Sequence, residues 1–381
     1  MANTLGVYNP IFYAQEALIH LEKALGLAAR VHRGYDEERR TFNRGETINI
    51  RRPSTFTAAD APATAADLGT ETVALTLSYW REVKFKLSDK ELAFTQQRII
   101  DDHIRPAAYA LADDIDQKLR DEALNIPWFY DIAATPAVDD LTGTRKVMFD
   151  NAVPVNDIGR MHFMAGGALE QGLLNLSAFT QQQGAGDMGV ASQMRGSLGT
   201  KFGMEVFANQ NVTTHTKGTA STGALLVDGA TAIDATTINL DAASVTGTLV
   251  PGDTFVIAGN TQRYAVTNTV TASGNAFTGV TFTPALAAAA ADNASVTVSL
   301  DDHTINLGFH RNAFALVTAA LPDMANQLGA RVVSVTDPVT GLAIRSRIYY
   351  VGNSSEVHVA LDVLYGVGTL DPNLACRARG A

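Results

Sequence analysis

Between Thr213 and Ser299 the chain almost stops carrying charge. That stretch holds 19 threonines and only seven charged residues: Lys217, Asp228, Asp234, Asp241, Asp253, Arg263 and Asp292. Threonine is β-branched and suits a pleated, half-buried surface better than a helix. Short alternating runs recur at Thr237–Leu240, Thr254–Ile257, Arg263–Val266, Val280–Thr283 and Ser295–Leu300. Turn sequences separate them: Pro251-Gly252-Asp253, Gly259-Asn260 and Ser273-Gly274-Asn275. Strands at this spacing predict a small all-β sandwich or barrel. The stretch is one domain long and lies between two segments of mixed helix and strand signal. It therefore reads as an insertion, which a host tolerates at a surface loop.

The host reads as α+β. Ile11, Leu18, Leu21, Leu25 and Ala28 recur at helical spacing and predict a helix over residues 11–30. The basic stretch Arg30, Arg33, Arg39, Arg40 and Arg44 is interrupted by Asp36, Glu37 and Glu38 and reads as a solvated segment. Residues 46–88 predict one long β-hairpin arm. Its first strand is Thr47–Arg52, its polar middle is Ser54–Gly69, and its return strand is Thr72–Leu87. Such a hairpin is not stable alone in water and should lie on another surface, such as a second copy of the chain. Ile100, Ile104, Ala108, Leu111, Ile115, Leu119 and Ala123 form a stripe that predicts a long helix, continuous from about Pro106 to Asn125.

Beyond it, helices are expected at Thr142–Asn151 and Gly167–Leu176, and strands at Arg160–Ala165 and Phe202–Asn209. After the insertion, His310–Leu321 reads as a helix stopped by Pro322. Ala330–Thr336, Leu342–Tyr350 and Val357–Tyr365 read as an antiparallel sheet, the first two joined by a turn at Asp337–Gly341.

Composition narrows the function. The 381 residues allow two or three domains at about 150 residues each. A net charge of −10 disfavours a general nucleic-acid binder. Charged residues make up only 18%, so much of the surface must be neutral or covered by partners. One cysteine, Cys376, excludes a disulfide framework and a cysteine-based zinc site, and it reads as part of a tail. Residues 1–10 lack the basic and apolar regions of a secretory signal, and no run is long enough to span a bilayer.

No catalytic, cofactor or metal site emerges. Gly184-Ala185-Gly186-Asp187-Met188-Gly189 matches a dinucleotide loop in letters only, because polar Phe179–Gln183 stands where a buried strand must precede it. Asp101-Asp102-His103 and Asp301-Asp302-His303 are consecutive, so on a helix they cannot converge on one ion. The eight histidines are scattered, and no nucleophile stands beside a base at readable spacing.

The order of elements resembles the tailed-phage major capsid proteins of the HK97 fold, more narrowly the P22-type coat proteins with an insertion domain. Ala110-Leu111-Ala112-Asp113-Asp114-Ile115-Asp116 is similar to the spine-helix pattern. Gly196-Ser197-Leu198-Gly199-Thr200-Lys201-Phe202-Gly203-Met204-Glu205-Val206 is similar to a glycine-flanked turn entering a capsid strand. Pro251-Gly252-Asp253-Thr254-Phe255 with Thr281–Leu286 resembles the insertion barrel. His310-Arg311-Asn312-Ala313-Phe314 and Asp362-Val363-Leu364-Tyr365-Gly366 resemble the closing segments.

The resemblance implies an N-arm at 1–40, an E-loop hairpin at 41–88 and a spine helix with P-domain at 89–125. It implies A-domain parts at 126–212 and 301–330, an inserted β-barrel at 213–300 and a P-domain return at 331–381. It also implies hexamers and pentamers in an icosahedral virion capsid, assembled in the bacterial host cytoplasm. The expected partners are a scaffolding protein, a portal protein, double-stranded DNA bound without sequence specificity, and a decoration protein. No membrane, catalytic residue or cofactor is expected. Arg51, Arg52, Trp80, Arg81, Lys84 and Lys86 are expected to make inter-subunit contacts, because Trp and Arg are common interface anchors; the other reading of Trp80 packs it inside its own subunit. Two alternative functions are an encapsulin-like compartment shell and a carbohydrate-binding surface or tail protein using the Thr-rich domain.

Overall fold

The computed structural model describes residues 10–33, 47–51, 60–61, 72–88, 103–133, 135–181, 187–221, 223–322, 331–336 and 342–380. The chain forms two compact units, one of Met1–Leu25, Arg33–Ile115 and Ala315–Gly368, the other of Gly26–His32, Asp116–Phe314 and Thr369–Ala381. The dinucleotide-like glycines 184 and 186, the turn at 337–341, Arg52 and Ile100 lie outside the described residues.

The first unit is built on a five-stranded sheet. Phe314–Ala319, Glu356–Thr369, Ala343–Val351 and Arg331–Thr336 follow one another in it, and Tyr79–Ser88 also pairs with Glu356–Thr369. The resolved registers are antiparallel, with Lys86 and Tyr349 both opposite His358. Val359, Leu361 and Val363 are buried on one face, as their alternation predicts. The helix Pro10–Ala24 packs on Arg331–Thr336 and Ala343–Val351 through an apolar side that includes Ala14, Ala17, Leu18 and Leu21. The long helix is Arg105–Asp121, and its last turn tightens into a 3₁₀ segment, Glu122–Asn125. Its stripe Ile104, Ala108, Leu111, Ile115, Leu119 and Ala123 is buried.

Two expectations fail in this unit. His310–Leu321 is not a helix: a 3₁₀ turn, Arg311–Ala313, leads into the strand Phe314–Ala319. All six residues of that strand are buried, so it lacks the polar face by which a half-buried strand announces itself. Nor is residues 46–88 one hairpin. Thr47–Arg51 pairs with Thr72–Thr76, the chain breaks at Leu77-Ser78, and Tyr79–Ser88 joins the five-stranded sheet instead. The root of the hairpin packs on its own chain. Ile48, Ile50, Leu75 and Leu77 are buried, and Gly366 and Gly368 make room for it. A Cβ at Gly366 would stand 2.5 Å from the Thr76 carbonyl oxygen.

The second unit has a seven-stranded sheet. Its order is Phe129–Asp131, Ala375–Gly380, His303–His310, Met161–Ala165, Met204–Ala208 and Gly199–Lys201, with Thr214–His215 also on His303–His310. Phe129–Asp131 and Met204–Ala208 run parallel to their inner neighbours; the remaining pairs are antiparallel. The helix Val138–Asp150 covers this sheet, starting four residues before its expected position because Asp140 bonds back to the Ala137 amide at 2.7 Å. Cys376 is not in a tail: it is fully buried in the strand Ala375–Gly380, and burial pushes its thiol pKa up. In the same unit, the Asp116 carboxylate accepts from the amides of Gly26, Leu27 and Ala28 at 2.7, 3.2 and 2.9 Å, which pins that segment.

Within this unit the threonine-rich stretch forms a closed barrel of six strands. Around it run Thr237–Asp241, Ala276–Thr283, Arg263–Val266, Thr254–Ile257, Ser295–Ser299 and Leu225–Val227. Phe255, Tyr264, Phe277 and Phe282 fill it, with Phe255 and Tyr264 both edge-on to Phe282. Leu225–Val227 is too short to signal itself in sequence. Ala276–Thr283 is longer than expected because it carries a bulge, where Gly279 adopts φ +72° and the register shifts between Ile238 and Leu240.

Replacing Gly366 with Val should detach the hairpin root. The expected cost is about 2 kcal/mol, from overpacking against backbone that cannot yield. Hydrogen exchange should show the amides of Ile48 and Ile50 losing protection before those of Glu356–Thr369.

Candidate functional site

Among the described residues Tyr79–Ser88 is an edge strand, paired only with Glu356–Thr369. The registers place Trp80, Glu82, Lys84 and Lys86 on one face with Arg345, Arg347, Tyr349, His358 and Asp362. Asp362 is the centre of that face and is fully buried. Arg345 grips it with Nε at 3.0 Å and Nη2 at 2.5 Å, and donates from Nη1 to the Pro322 carbonyl at 3.1 Å. The Trp80 indole N–H donates to Asp362 Oδ2 at 3.0 Å. Arg347 reaches the same oxygen at 3.4 Å and Glu82 at 2.7 Å. Further along, Lys84 lies 5.1 Å from the Tyr349 ring centre and Lys86 donates to Glu356 at 2.6 Å. Hydrogen bonds from Lys86, His358 and Ser354 hold the Glu356 carboxyl down to about 2.

Arg81 points the other way. Its Nε lies 3.1 Å from Asp114, which also accepts from Tyr365 Oη, and Tyr365 stacks on Tyr79 at 5.3 Å. Of the six residues singled out in sequence, the fold gathers Trp80, Lys84 and Lys86 on one face and Arg81 on the opposite one. Arg51 ends a strand of the separate two-stranded sheet. Sequence reasoning missed Arg345, Arg347, Glu356 and Asp362. A signal existed for Asp362: a lone carboxylate amid Val359, Leu361 and Val363 must find a buried cation.

The arrangement presents one aromatic side chain in a fixed pose. Trp80 is hydrogen-bonded to a buried carboxylate, has Arg345 6.0 Å from its ring, and is still 58% exposed. Arg345, Arg347 and Lys86 are already paired within the chain, and Lys84 lies over the Tyr349 ring.

Other polar clusters make most of their bonds within the chain, though Arg30 Nε and His303 Nε2 lack a partner among the described groups. Glu205 holds Arg30 at 2.6 Å and His162 at 3.0 Å beside a cleft of about 240 Å³. Among the described residues His162 has no hydroxyl or thiol partner, and no group of three or more His, Cys, Asp or Glu could hold a metal ion. Asp301-Asp302-His303 splits apart: Asp302 accepts from the Lys217 amide at 2.8 Å, and His303 is buried against His215 at 5.1 Å between ring centres. His303 Nδ1 donates to the Asp301 carbonyl at 2.8 Å. Burial pushes its pKa down to about 3, with Arg377, His215 and Arg379 adding to the fall. No helix among the described residues is long and apolar enough to cross a membrane.

Several solved structures resemble this chain, and phage capsids recur among them. A structure from Mycobacterium phage Che8 has 14% identity and a TM-score of 0.49, covering 93% of this chain and 90% of that chain. The capsid of Cyanophage P-SCSP1u has 10% identity and a TM-score of 0.47, over 89% and 85%. The virus-like particle from Pyrococcus furiosus has 8% identity and a TM-score of 0.43, over 99% and 100%. No family model and no curated protein matches the sequence. All three TM-scores lie below 0.5, so the functional reading rests on the residues of this chain.

Asp362→Ala should cost about 3–5 kcal/mol in thermal or denaturant unfolding, because it strands Arg345 in the interior. Lys86→Ala should cost under about 0.5 kcal/mol, since that pair is solvent-screened. For His303 the sign follows from its depressed folded pKa. The unfolded chain takes up its proton near pH 6.5 while the folded chain refuses it until about 3. Stability is therefore full above pH 6.5 and falls toward pH 3, by at most about 1.4 kcal/mol per pH unit. Melting curves from pH 7 to pH 4 should be flatter for His303→Gln than for the native chain.

Proposed function

We propose that this chain is a major capsid protein, which assembles with copies of itself through hexamers and pentamers into the icosahedral shell of a tailed phage. The observation that supports this most is the sequence of parts within one chain. A hairpin rooted on an antiparallel sheet is followed by a long amphipathic helix, and a six-stranded barrel lies between the strands of a second, mixed sheet. In this reading Tyr79–Ser88 and the long helix belong to the P-domain, the seven-stranded sheet is the A-domain, and the barrel is the insertion domain. The hairpin from Thr47 to Thr76 is the part of the E-loop that stays on its own subunit. Scaffolding, portal and decoration proteins would be the partners, host cytoplasm the place of assembly, and double-stranded DNA the content. An acidic chain at −10 suits a wall that encloses DNA without binding it tightly.

The subunit contact is proposed on the Trp80 face. The indole is held in place before any partner arrives, so little side-chain entropy is lost on contact. Lys84 and Lys86 would form its rim, while Arg81, on the opposite face, and Arg51, in the two-stranded sheet, would meet a neighbour separately.

Electron microscopy of the purified chain, expressed with and without its neighbouring genes, tests the reading. Closed shells or capsomer rings of uniform diameter are expected. A monodisperse monomer under every condition would overturn it and favour a carbohydrate-binding role for the barrel; shells filled with a protein cargo would select a compartment shell. Trp80→Ala should lower shell yield at least about tenfold, the scale of an interface anchor. Unchanged yield with an unchanged subunit melting temperature would remove Trp80 from the contact.

A further inference from the structure

The barrel and the seven-stranded sheet belong to one compact unit, yet their apolar cores are separate. The barrel core runs from Ala220 to Val296. The sheet core draws on Leu141 to Val206 with Cys376 and Ala378, and the two share no side chain. Four polar contacts among the described residues link barrel to sheet instead, one of them between His215 Nε2, in the sheet strand Thr214–His215, and Asp253 Oδ1 at 3.3 Å. Arg377 Nη1 donates to the Gly252 carbonyl at 2.8 Å. Gln262 Nε2 donates to Asn373 Oδ1 at 3.0 Å, an oxygen that also accepts from Trp128 Nε1. The guanidinium of Arg263 lies 4.2 Å from the centre of the Phe129 ring, where Arg379 also stacks at 3.3 Å.

Arg377 is the unusual member. Its side chain is fully buried, and its Nε has no partner among the described groups. Burial pushes its pKa down to about 9, so the interior resists its charge. An apolar residue of the same length would remove that desolvation cost. What a guanidinium supplies, and Met or Leu cannot, is direction: a rigid planar fork aimed at one carbonyl. Its target is the turn Pro251-Gly252-Asp253, which the barrel fixes firmly. Asp253, buried, accepts from the Val250 amide at 2.9 Å, which fixes the turn from the barrel side. Gly252 sits at φ +99°, and a Cβ there would come within 2.8 Å of Leu124.

We propose that Arg377 is the fastener that sets the angle of the barrel on the seven-stranded sheet, and that without it the barrel swings as a folded body. The fastener acts alike in a free subunit or in a shell, so it stands apart from the assembly reading.

Arg377→Met in the full chain tests this. Trypsin is a direct probe, because Lys217 lies exposed in one of the two segments that enter the barrel and is bonded to Asp302 in the other. Cleavage after Lys217 is expected to speed up about tenfold as the docked state opens more often. In hydrogen exchange, the amides of Phe255, Ile257 and Phe282 should keep native protection. Unchanged cleavage would overturn the proposal, and so would loss of protection in the barrel together with Met161–Ala165. Should Arg377→Met fail to fold, Arg377→Lys keeps the charge and removes the planar fork aimed at the Gly252 carbonyl. Faster cleavage at Lys217 with an intact barrel supports the fastener, and unchanged cleavage overturns it.

Discussion

The strand Glu356–Thr369 must pair its backbone on both edges, because most of it is buried and an unpaired amide there costs more than a hydrogen bond returns. Much of the first unit follows from that demand. Ala343–Val351 and Phe314–Ala319 supply two of its pairings. For the other edge the chain brings in Tyr79–Ser88 from far back in sequence, Lys86 meeting Glu356 across 270 positions. That pairing breaks the expected long hairpin at Leu77-Ser78. It also sets Trp80 and Arg345 on either side of the Asp362 carboxylate, so one register creates both the sheet and the exposed, immobilised tryptophan.

The second unit obeys the same rule with different residues. His303–His310 pairs with Ala375–Gly380, Met161–Ala165 and Thr214–His215, and becomes a central strand. Its residues are almost all buried, two histidines included, so it shows no alternation to a sequence reader. Cys376 and Arg377 share the reason for being misjudged or overlooked: they look like surface or tail residues until a neighbouring strand covers them. The Thr-rich segment behaves oppositely. Strands such as Thr237–Asp241 and Ala276–Thr283 alternate in burial and the turns carry Gly, Asn and Asp, so alternation and punctuation were both legible. Thr254–Ile257 and Arg263–Val266 match their expected bounds.

The barrel is joined to its sheet by directional polar groups rather than by shared hydrophobic packing. Such a joint fixes an angle more strictly than it adds stability, since a guanidinium prefers one geometry where an apolar contact tolerates many.

The sequence by itself determined where the chain changes character, the α+β host, five of the six barrel strands of the inserted stretch, the apolar stripe of the long helix and the antiparallel pairing of the closing strands. Each of these is a local periodicity, set by which side of an element meets water. Only the tertiary structure decided that Phe314–Ala319 is a strand, that Tyr79–Ser88 leaves its hairpin, that Asp362 gathers Arg345, Arg347 and Trp80, and that Arg377 reaches Gly252. Those outcomes depend on which distant backbone and charge each residue meets, and a buried strand or a buried arginine carries no local pattern that names its partner.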